Sequence, residues 1–95
     1  MTGAETMKAV VSAIARIQER SGDDVPELRP DTVVINGVES FDSLRGLELS
    51  VAMSRFFDIP DDMNVCVSDS GKRPLTVTEI VDKLMTMSQK PSEKE

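Results

Sequence analysis

Residues 42–57, with the sequence DSLRGLELSVAMSRFF, are the stretch that decides the fold. Asp42 suits a helix N-cap because its carboxylate can accept hydrogen bonds from the free amides of the first turn. The pattern predicts a helix from Asp42-Ser43 to about Phe57. It should end near Asp58-Ile59-Pro60, since Pro60 disfavours helical backbone at Ile59.

The apolar side chains of this helix fall on two arcs at 100° per residue. One arc holds Leu49, Met53, Phe56 and Phe57, and the other holds Leu44, Leu47 and Val51. Between them runs a ridge of small residues, Gly46, Ser50 and Ser54. The stripe left for solvent is Arg45, Glu48, Ala52 and Arg55. We therefore expect this helix to be largely enclosed, or to present its apolar edge to a partner.

Amphipathic helices are predicted on both sides of this stretch. The first covers about residues 4–20, with Met7, Val10, Val11, Ile14 and Ile17 on its apolar face and a stop at Ser21-Gly22. The last begins at Thr76, where Glu79 three residues later completes a capping box. Its apolar face is Val77, Ile80, Val81, Leu84 and Met87.

The long connection over residues 21–42 carries most of the negative charge. It holds six carboxylates and only Arg29 as a cation, whereas the whole chain has a net charge of −6. Thr32–Ile35 and Val38–Phe41 around Asn36-Gly37 could pair as a β-hairpin. An isolated hairpin is only marginally stable, so we favour an ordered loop that inserts Val34, Ile35 and Phe41 into a helical core.

Residues 61–75 fit no single element. Asp61-Asp62-Met63 could start a helical turn, whereas Val65-Cys66-Val67 suits extended backbone, so a third helix here stays open. Cys66, between two valines, is interpreted as a small buried hydrophobe rather than a reactive thiol. Residues 1–88 are predicted to form one domain, and residues 89–95 a disordered polar tail.

Composition excludes several classes of function. The chain has 95 residues, 39% of them hydrophobic, with 17 Asp and Glu against 11 Lys and Arg, so unassisted nucleic-acid binding is not expected. Histidine is absent, which removes Ser-His-Asp and Cys-His catalysis and His-ligated zinc. We expect no enzyme activity and no metal site. Without a signal-like or spanning apolar block, a cytoplasmic location is expected. A monomer is expected because the apolar residues suffice for one core and little more.

The tripeptide Asp42-Ser43-Leu44 at a loop-to-helix junction resembles the acyl carrier proteins. An acidic loop precedes it, Glu48-Leu49 follows inside the helix, and the outer helices have matching order and lengths over residues 5–88. The resemblance implies an all-α fold, a small three- to four-helix bundle of the acyl-carrier type. Its first loop would be long and its third segment atypical, helical or not. Taken alone, Asp-Ser at a helix start would be ordinary capping.

The resemblance also implies a function. Ser43 would accept a 4′-phosphopantetheine arm from coenzyme A, and the arm's thiol would carry an acyl group as a thioester. Asp42 would help position the metal and the phosphopantetheinyl transferase that load the arm. The other partners would be acyl-loading and acyl-transferring enzymes of fatty-acid, other lipid, polyketide or related secondary-metabolite biosynthesis.

Partner contacts are implied on the same helix. Leu44 and Val51 match apolar contact positions and Glu48 an acidic one. We favour partner contact for Leu44 and a core position for Val51. Arg45 and Arg55 are further partner-binding candidates, and they make the helix weakly positive, unlike typical carriers.

Two more departures concern the sequence around this helix. Ser40 stands where the family often has Gly two residues before the Asp, and residues 64–71 replace the usual third helix. These departures favour a specialised carrier with dedicated partners. The Gly46/Ser50/Ser54 ridge could leave room for an acyl chain or could allow close packing.

Two other functions remain open. A carrier-like helical domain could serve as a protein-interaction adaptor without a prosthetic group. A peptidyl carrier, which holds an amino acid, is the third functional hypothesis, although Asp before the serine favours acyl carriage.

Overall fold

The computed structural model describes residues 1–90 and contains three helices in that range. They are α1 (Gly3–Arg20), α2 (Ser43–Met53) and α3 (Val77–Met85). Extended pairing within residues 1–90 is limited to isolated bridges: Val33 with Thr76, Phe57 with Gln89, and Val67 with Pro74. The predicted all-α class is therefore confirmed.

The outer helices begin at capping boxes. In α3 the Thr76 side chain accepts from the Glu79 amide at 3.1 Å, and the Glu79 carboxylate accepts from the Thr76 amide at 2.9 Å, as predicted. Thr2 and Glu5 form the same pair of hydrogen bonds at the start of α1. This second capping box was not predicted from the sequence. Each box satisfies amides that the first turn would leave unpaired.

The core forms where α1 packs against both α2 and α3. The helices bury Val10, Ile14, Ile17, Leu49, Met53, Val77, Ile80, Val81 and Leu84.

The first connection adds Val34, Ile35, Val38 and Phe41 to this core, all buried. The ordered loop is thus confirmed and the hairpin is wrong. The Val34 amide pairs with the Leu75 carbonyl at 3.2 Å rather than across an Asn36-Gly37 turn.

The helix α2 ends at Met53, four residues before the predicted Phe57. Ser54 caps it, and the chain then leaves the helical path so that Phe57 is buried. Residues 56–58 pair with residues 88–90. Asp58 N–H donates to Ser88 O at 2.8 Å, and Lys90 N–H donates to Phe56 O at 2.9 Å. The Asp58 N–H, which would close the last turn of a helix continued to Phe57, is thereby paired with Ser88 instead.

Residues 61–75 contain no helix. Their second half folds back on itself, with Ser68 N–H donating to Arg73 O at 2.8 Å and Leu75 N–H donating to Cys66 O at 2.9 Å. Lys83 of α3 holds this turn, since its ammonium donates to Val67 O at 2.7 Å and lies 3.1 Å from Asp69 Oδ1. The third helix that the sequence left open is therefore absent from residues 61–75.

The ends of the described chain are in contact. The Met1 ammonium donates to Gln89 Oε1, and Gln89 Nε2 donates to Met1 O at 3.0 Å. Gln89 and Lys90 belong to the predicted polar tail, and the rest of that tail lies outside the described residues. No helix within residues 1–90 combines the length and the apolar character needed to cross a membrane.

Candidate functional site

Asp42 and Ser43 form the start of α2, as predicted. Asp42 is the N-cap, and its Oδ1 accepts from the Arg45 amide at 3.0 Å. Ser43 is the first helical residue and is exposed. Apart from the N-cap Asp42, the first turn of α2 holds no acidic side chain, so the Asp42 carboxylate is the only anion at this helix N-terminus that the helix itself supplies.

A tightly wound loop, residues 34–41, delivers the chain to Asp42. Val38 N–H donates to Val34 O at 3.0 Å and Asn36 N–H donates to Phe41 O at 2.9 Å, while the buried Phe41 ring anchors the end of the loop. Ser40 has φ 61°, in the left-handed region that favours glycine. This is the position at which the resembled family often carries Gly, so the backbone has the conformation that such a Gly would suit.

Gly37 in the same loop is required by space. A Cβ at this position would lie 2.0 Å from the carbonyl oxygen of Val33. Because the clash is with backbone, the loop could accept a side chain here only by moving the Val33 peptide. The path that leads to Ser43 therefore depends on this residue.

Arg45 faces inward and joins three parts of the chain. Its guanidinium lies 2.7 Å from Asp23 Oδ2 and donates to Gln18 Oε1 at 2.8 Å. Gln18 is fully buried, and its Nε2 donates to Glu39 O at 2.8 Å. The Arg45 side chain is only 18% exposed, so its predicted place on the solvent stripe is wrong, and we omit it from the partner surface. It ties the first turn of α2 to the end of α1.

The outward face of α2 is apolar. Leu44 is 65% exposed, Leu47 39% and Val51 71%, and we call these three residues the apolar stripe. The exposure of Leu44 agrees with its predicted availability to a partner, whereas the core position favoured for Val51 is wrong. Leu49 and Met53 occupy the opposite side and fill the core. The helix presents its second apolar arc to solvent, one of the two arrangements that the pattern allowed.

The charges beside the apolar stripe are balanced. Glu48 is exposed, and so is Arg55, whose guanidinium carbon lies 5.6 Å from the centre of the Phe56 ring. Since Arg45 is paired with Asp23, it does not add to the charge of this surface. The count of charged residues had predicted a weakly positive helix. The surface next to Ser43 is instead mainly apolar.

Segment 64–66 covers the small-residue ridge of α2. A Cβ at Gly46 would lie 2.6 Å from Asn64 Oδ1, and the buried Ser50 Oγ accepts from the Val65 amide at 2.9 Å. Of the two interpretations of this ridge, close packing is correct for Gly46 and Ser50. Ser54, the third member, bonds only within its own turn, donating to Val51 O at 2.6 Å.

Cys66 lies in this segment and is fully buried. Burial raises the pKa of its thiol to about 12, an effect that the nearby Lys83 charge opposes only in part. The thiolate, which is the reactive form, is therefore suppressed at neutral pH. The interpretation of Cys66 as a buried hydrophobe is confirmed.

Gln18, Asp23 and Asn64 were not predicted as residues of this region, and Leu47 was assigned to an apolar arc of α2 but not to the partner contacts. Gln18 left a signal, because it lies four residues after Ile14 and so on the apolar face of α1, where a polar side chain needs a buried partner. Asp23 and Asn64 lie in irregular segments, where no periodicity indicates which side chains turn inward.

Comparisons with protein-family models, curated proteins and solved structures give no significant match. The site must therefore be interpreted from its own geometry. Among residues 1–90, no group of three or more His, Cys, Asp or Glu side chains is arranged to hold a metal ion.

Proposed function

We propose that this protein is a specialised acyl carrier that is loaded at Ser43. The observation that carries the proposal is the position of Ser43. It is an exposed hydroxyl at the first residue of α2, between an N-cap aspartate and an exposed apolar stripe. Ordinary capping explains Asp42 but gives no reason for a helix to present Leu44 and Val51 to solvent beside an exposed serine.

The residues around Ser43 suit a phosphopantetheine arm. Loading would join Ser43 Oγ to the phosphorus of the phosphopantetheinyl group of coenzyme A, displace adenosine 3′,5′-bisphosphate and release the hydroxyl proton. The N-terminus of α2 favours the resulting phosphodiester anion. When bound, the arm supplies a thiol that holds acyl groups as thioesters, so the chain itself needs no catalytic residue. Asp42 would help position the metal and the transferase during loading.

The left-handed backbone at Ser40 supports the same proposal independently of the tripeptide. A residue with a side chain adopts this conformation at a penalty, and here it does so two residues before the N-cap. A chance Asp-Ser-Leu at a helix start would not call for that conformation. The backbone at Ser40 thus suits the Gly that the resembled family often carries at this position, which supports the proposal.

Partner recognition in this proposal is mainly apolar. The transferase and the acyl-loading and acyl-transferring enzymes would contact Leu44 and Val51, with Glu48 and Arg55 setting orientation at the edge. Leu47 adds to the same surface. Because Glu48 and Arg55 balance, this face of α2 would offer no net negative charge to the contact surface of a basic partner, which favours dedicated partners of lipid or secondary-metabolite biosynthesis. We propose a monomer that works in the cytoplasm.

Intact mass tests the proposal. The purified chain is incubated with coenzyme A, magnesium and phosphopantetheinyl transferases of broad specificity, beside Ser43→Ala and the exposed-serine control Ser12→Ala. The parent and Ser12→Ala should each gain one phosphopantetheinyl group, and Ser43→Ala none. Gain by Ser43→Ala, or no gain by a folded parent while a known carrier in the same tube is loaded, would count against the proposal.

The adaptor function is the second candidate, because the apolar stripe could dock a partner without any prosthetic group. It predicts a complex whose affinity is unchanged by Ser43→Ala and weakened by Val51→Glu. A carrier complex would instead depend on the loaded arm. A peptidyl carrier belongs to the loaded class, and mass analysis of the thioester formed with amino-acid or acyl donors would separate it from an acyl carrier.

A further inference from the structure

Asn64 locks segment 64–66 onto the first turns of α2, directly beneath Ser43. Its Nδ2 donates to Ser43 O at 3.1 Å, and its Oδ1 accepts from the Cys66 amide at 3.0 Å. Each end of the Asn64 side chain is therefore bonded, one end to the helix and the other to its own segment. The amide group lies against Gly46, where even a methyl group would not fit.

Ser50 makes a second lock one turn further along α2. Its Oγ accepts from the Val65 amide at 2.9 Å and donates to Gly46 O at 3.1 Å. Both bonds are buried, and so are the Val65 and Cys66 side chains that the segment places in the core. Parting segment 64–66 from α2 would leave these polar groups unpaired and would expose two core side chains.

The slot between α2 and the following segment is thus already filled by the chain itself. We infer that the Asn64–Cys66 segment is a built-in plug that keeps the cargo of Ser43 outside the helical core. The cargo class that suits such a carrier is a short or polar acyl group. A long aliphatic chain could not enter between α2 and segment 64–66, so it would gain no burial at this slot.

This inference rests on the proposed loading of Ser43, and its test separates the two. The parent, Asn64→Ala and Ser54→Ala are each loaded with acetyl, malonyl or octanoyl phosphopantetheine from the corresponding coenzyme A thioesters. Intact mass first establishes loading. Ser54→Ala is the matched control, because it removes a side-chain hydrogen bond of α2 that does not reach segment 64–66.

Thermal melting and amide NMR spectra then locate the cargo. The acetyl, malonyl and octanoyl forms of the parent and of Ser54→Ala should melt within about 1 °C of one another, because burying a long chain would raise the melting temperature by several degrees. The Val65 and Cys66 amide signals should be the same in all three forms. In Asn64→Ala, the octanoyl form should melt higher than the acetyl form.

Each other outcome has one meaning. A melting temperature that rises with chain length in the parent, or Val65 and Cys66 signals that move with the octanoyl chain, would overturn the inference while leaving carrier function intact. Equal melting of all forms in a folded Asn64→Ala would overturn the role of Asn64 in closing the slot. Absence of loading at Ser43 in the mass spectrum would remove the proposed function and this inference with it.

Discussion

Arg45 and Asp23 form an ion pair, 2.7 Å between Nη2 and Oδ2, that fastens the first turn of α2 to the chain just beyond α1. The two residues are 22 positions apart, and the acidic connection lies between them. The pair is largely screened from water, and the buried Gln18 side chain accepts a part-buried hydrogen bond from the same guanidinium. The orientation of Ser43 thus depends on the contact of Arg45 with Asp23 and Gln18, on the inward side of α2.

We expect Arg45→Met to lower the free energy of unfolding by about 1–3 kcal/mol, because Asp23 and the buried Gln18 oxygen both lose their partner. Urea denaturation measures the change. A double-mutant cycle with Asp23→Asn should give a coupling energy of about 1 kcal/mol. The exposed Arg55→Ala is the control and should stay within about 0.5 kcal/mol of the parent. Equal effects of the two arginine substitutions would contradict the inward role of Arg45.

The outward position of Val51 predicts a contrast with Leu49, two residues earlier on the same helix. Val51→Ala should change the free energy of unfolding by no more than about 0.5 kcal/mol, whereas Leu49→Ala should lower it by about 2–5 kcal/mol through the cavity it leaves. Denaturant titration of both variants checks this. A loss above about 1 kcal/mol for Val51→Ala would restore the core interpretation.

The loop before Ser43 predicts substitutions of opposite sign. Ser40→Gly should raise the free energy of unfolding by about 0.5–1 kcal/mol, because it removes the left-handed penalty while adding some unfolded-state entropy. Gly37→Ala should lower it by about 2 kcal/mol or more, given the clash with the Val33 carbonyl. Both are measured by urea titration. Destabilisation by Ser40→Gly would show that the Ser40 backbone is not left-handed.

The free energy of unfolding should fall at acidic pH, because the capping box of α3 depends on the ionised Glu79 carboxylate. The pKa of Glu79 lies below its ordinary value of 4.5, chiefly because the carboxylate accepts from the Thr76 amide and also because Arg73 bonds to it. A lowered folded-state pKa means that the contribution is complete above pH 4.5 and is lost as the pH falls through the folded value. Glu79→Gln should therefore show a flatter melting temperature between about pH 5 and pH 3. Parallel curves for parent and variant would contradict this.

The outer helices could be predicted because their signals are local. The apolar spacing of Val10, Ile14 and Ile17 fixes one face of α1, and Thr76 with Glu79 fixes the start of α3. Such patterns depend on residues within one or two turns of each other, so distant parts of the chain do not alter them. Asp42 as the N-cap of α2 belongs to the same class.

The face and the end of α2 could not be predicted in this way. Two apolar arcs are available, and the choice between them depends on where Asn64 and Val65 pack, which periodicity does not contain. The early end depends on backbone pairing of Phe56 and Asp58 with residues 88–90. The inward turn of Arg45 likewise needs Asp23 and Gln18, and only the folded chain brings these together.

The contact between Met1 and Gln89 has a consequence for the order of folding. It joins residues 88 positions apart, so forming it before the helices pack would close a loop of nearly the whole described chain at a large loss of entropy. We expect α1, α2 and α3 to assemble first, since their contacts span shorter loops. The Met1–Gln89 contact would then form last and open first. The neighbouring amides of Asp58 and Lys90, which pair residues 56–58 with residues 88–90, should exchange with solvent before those of the core.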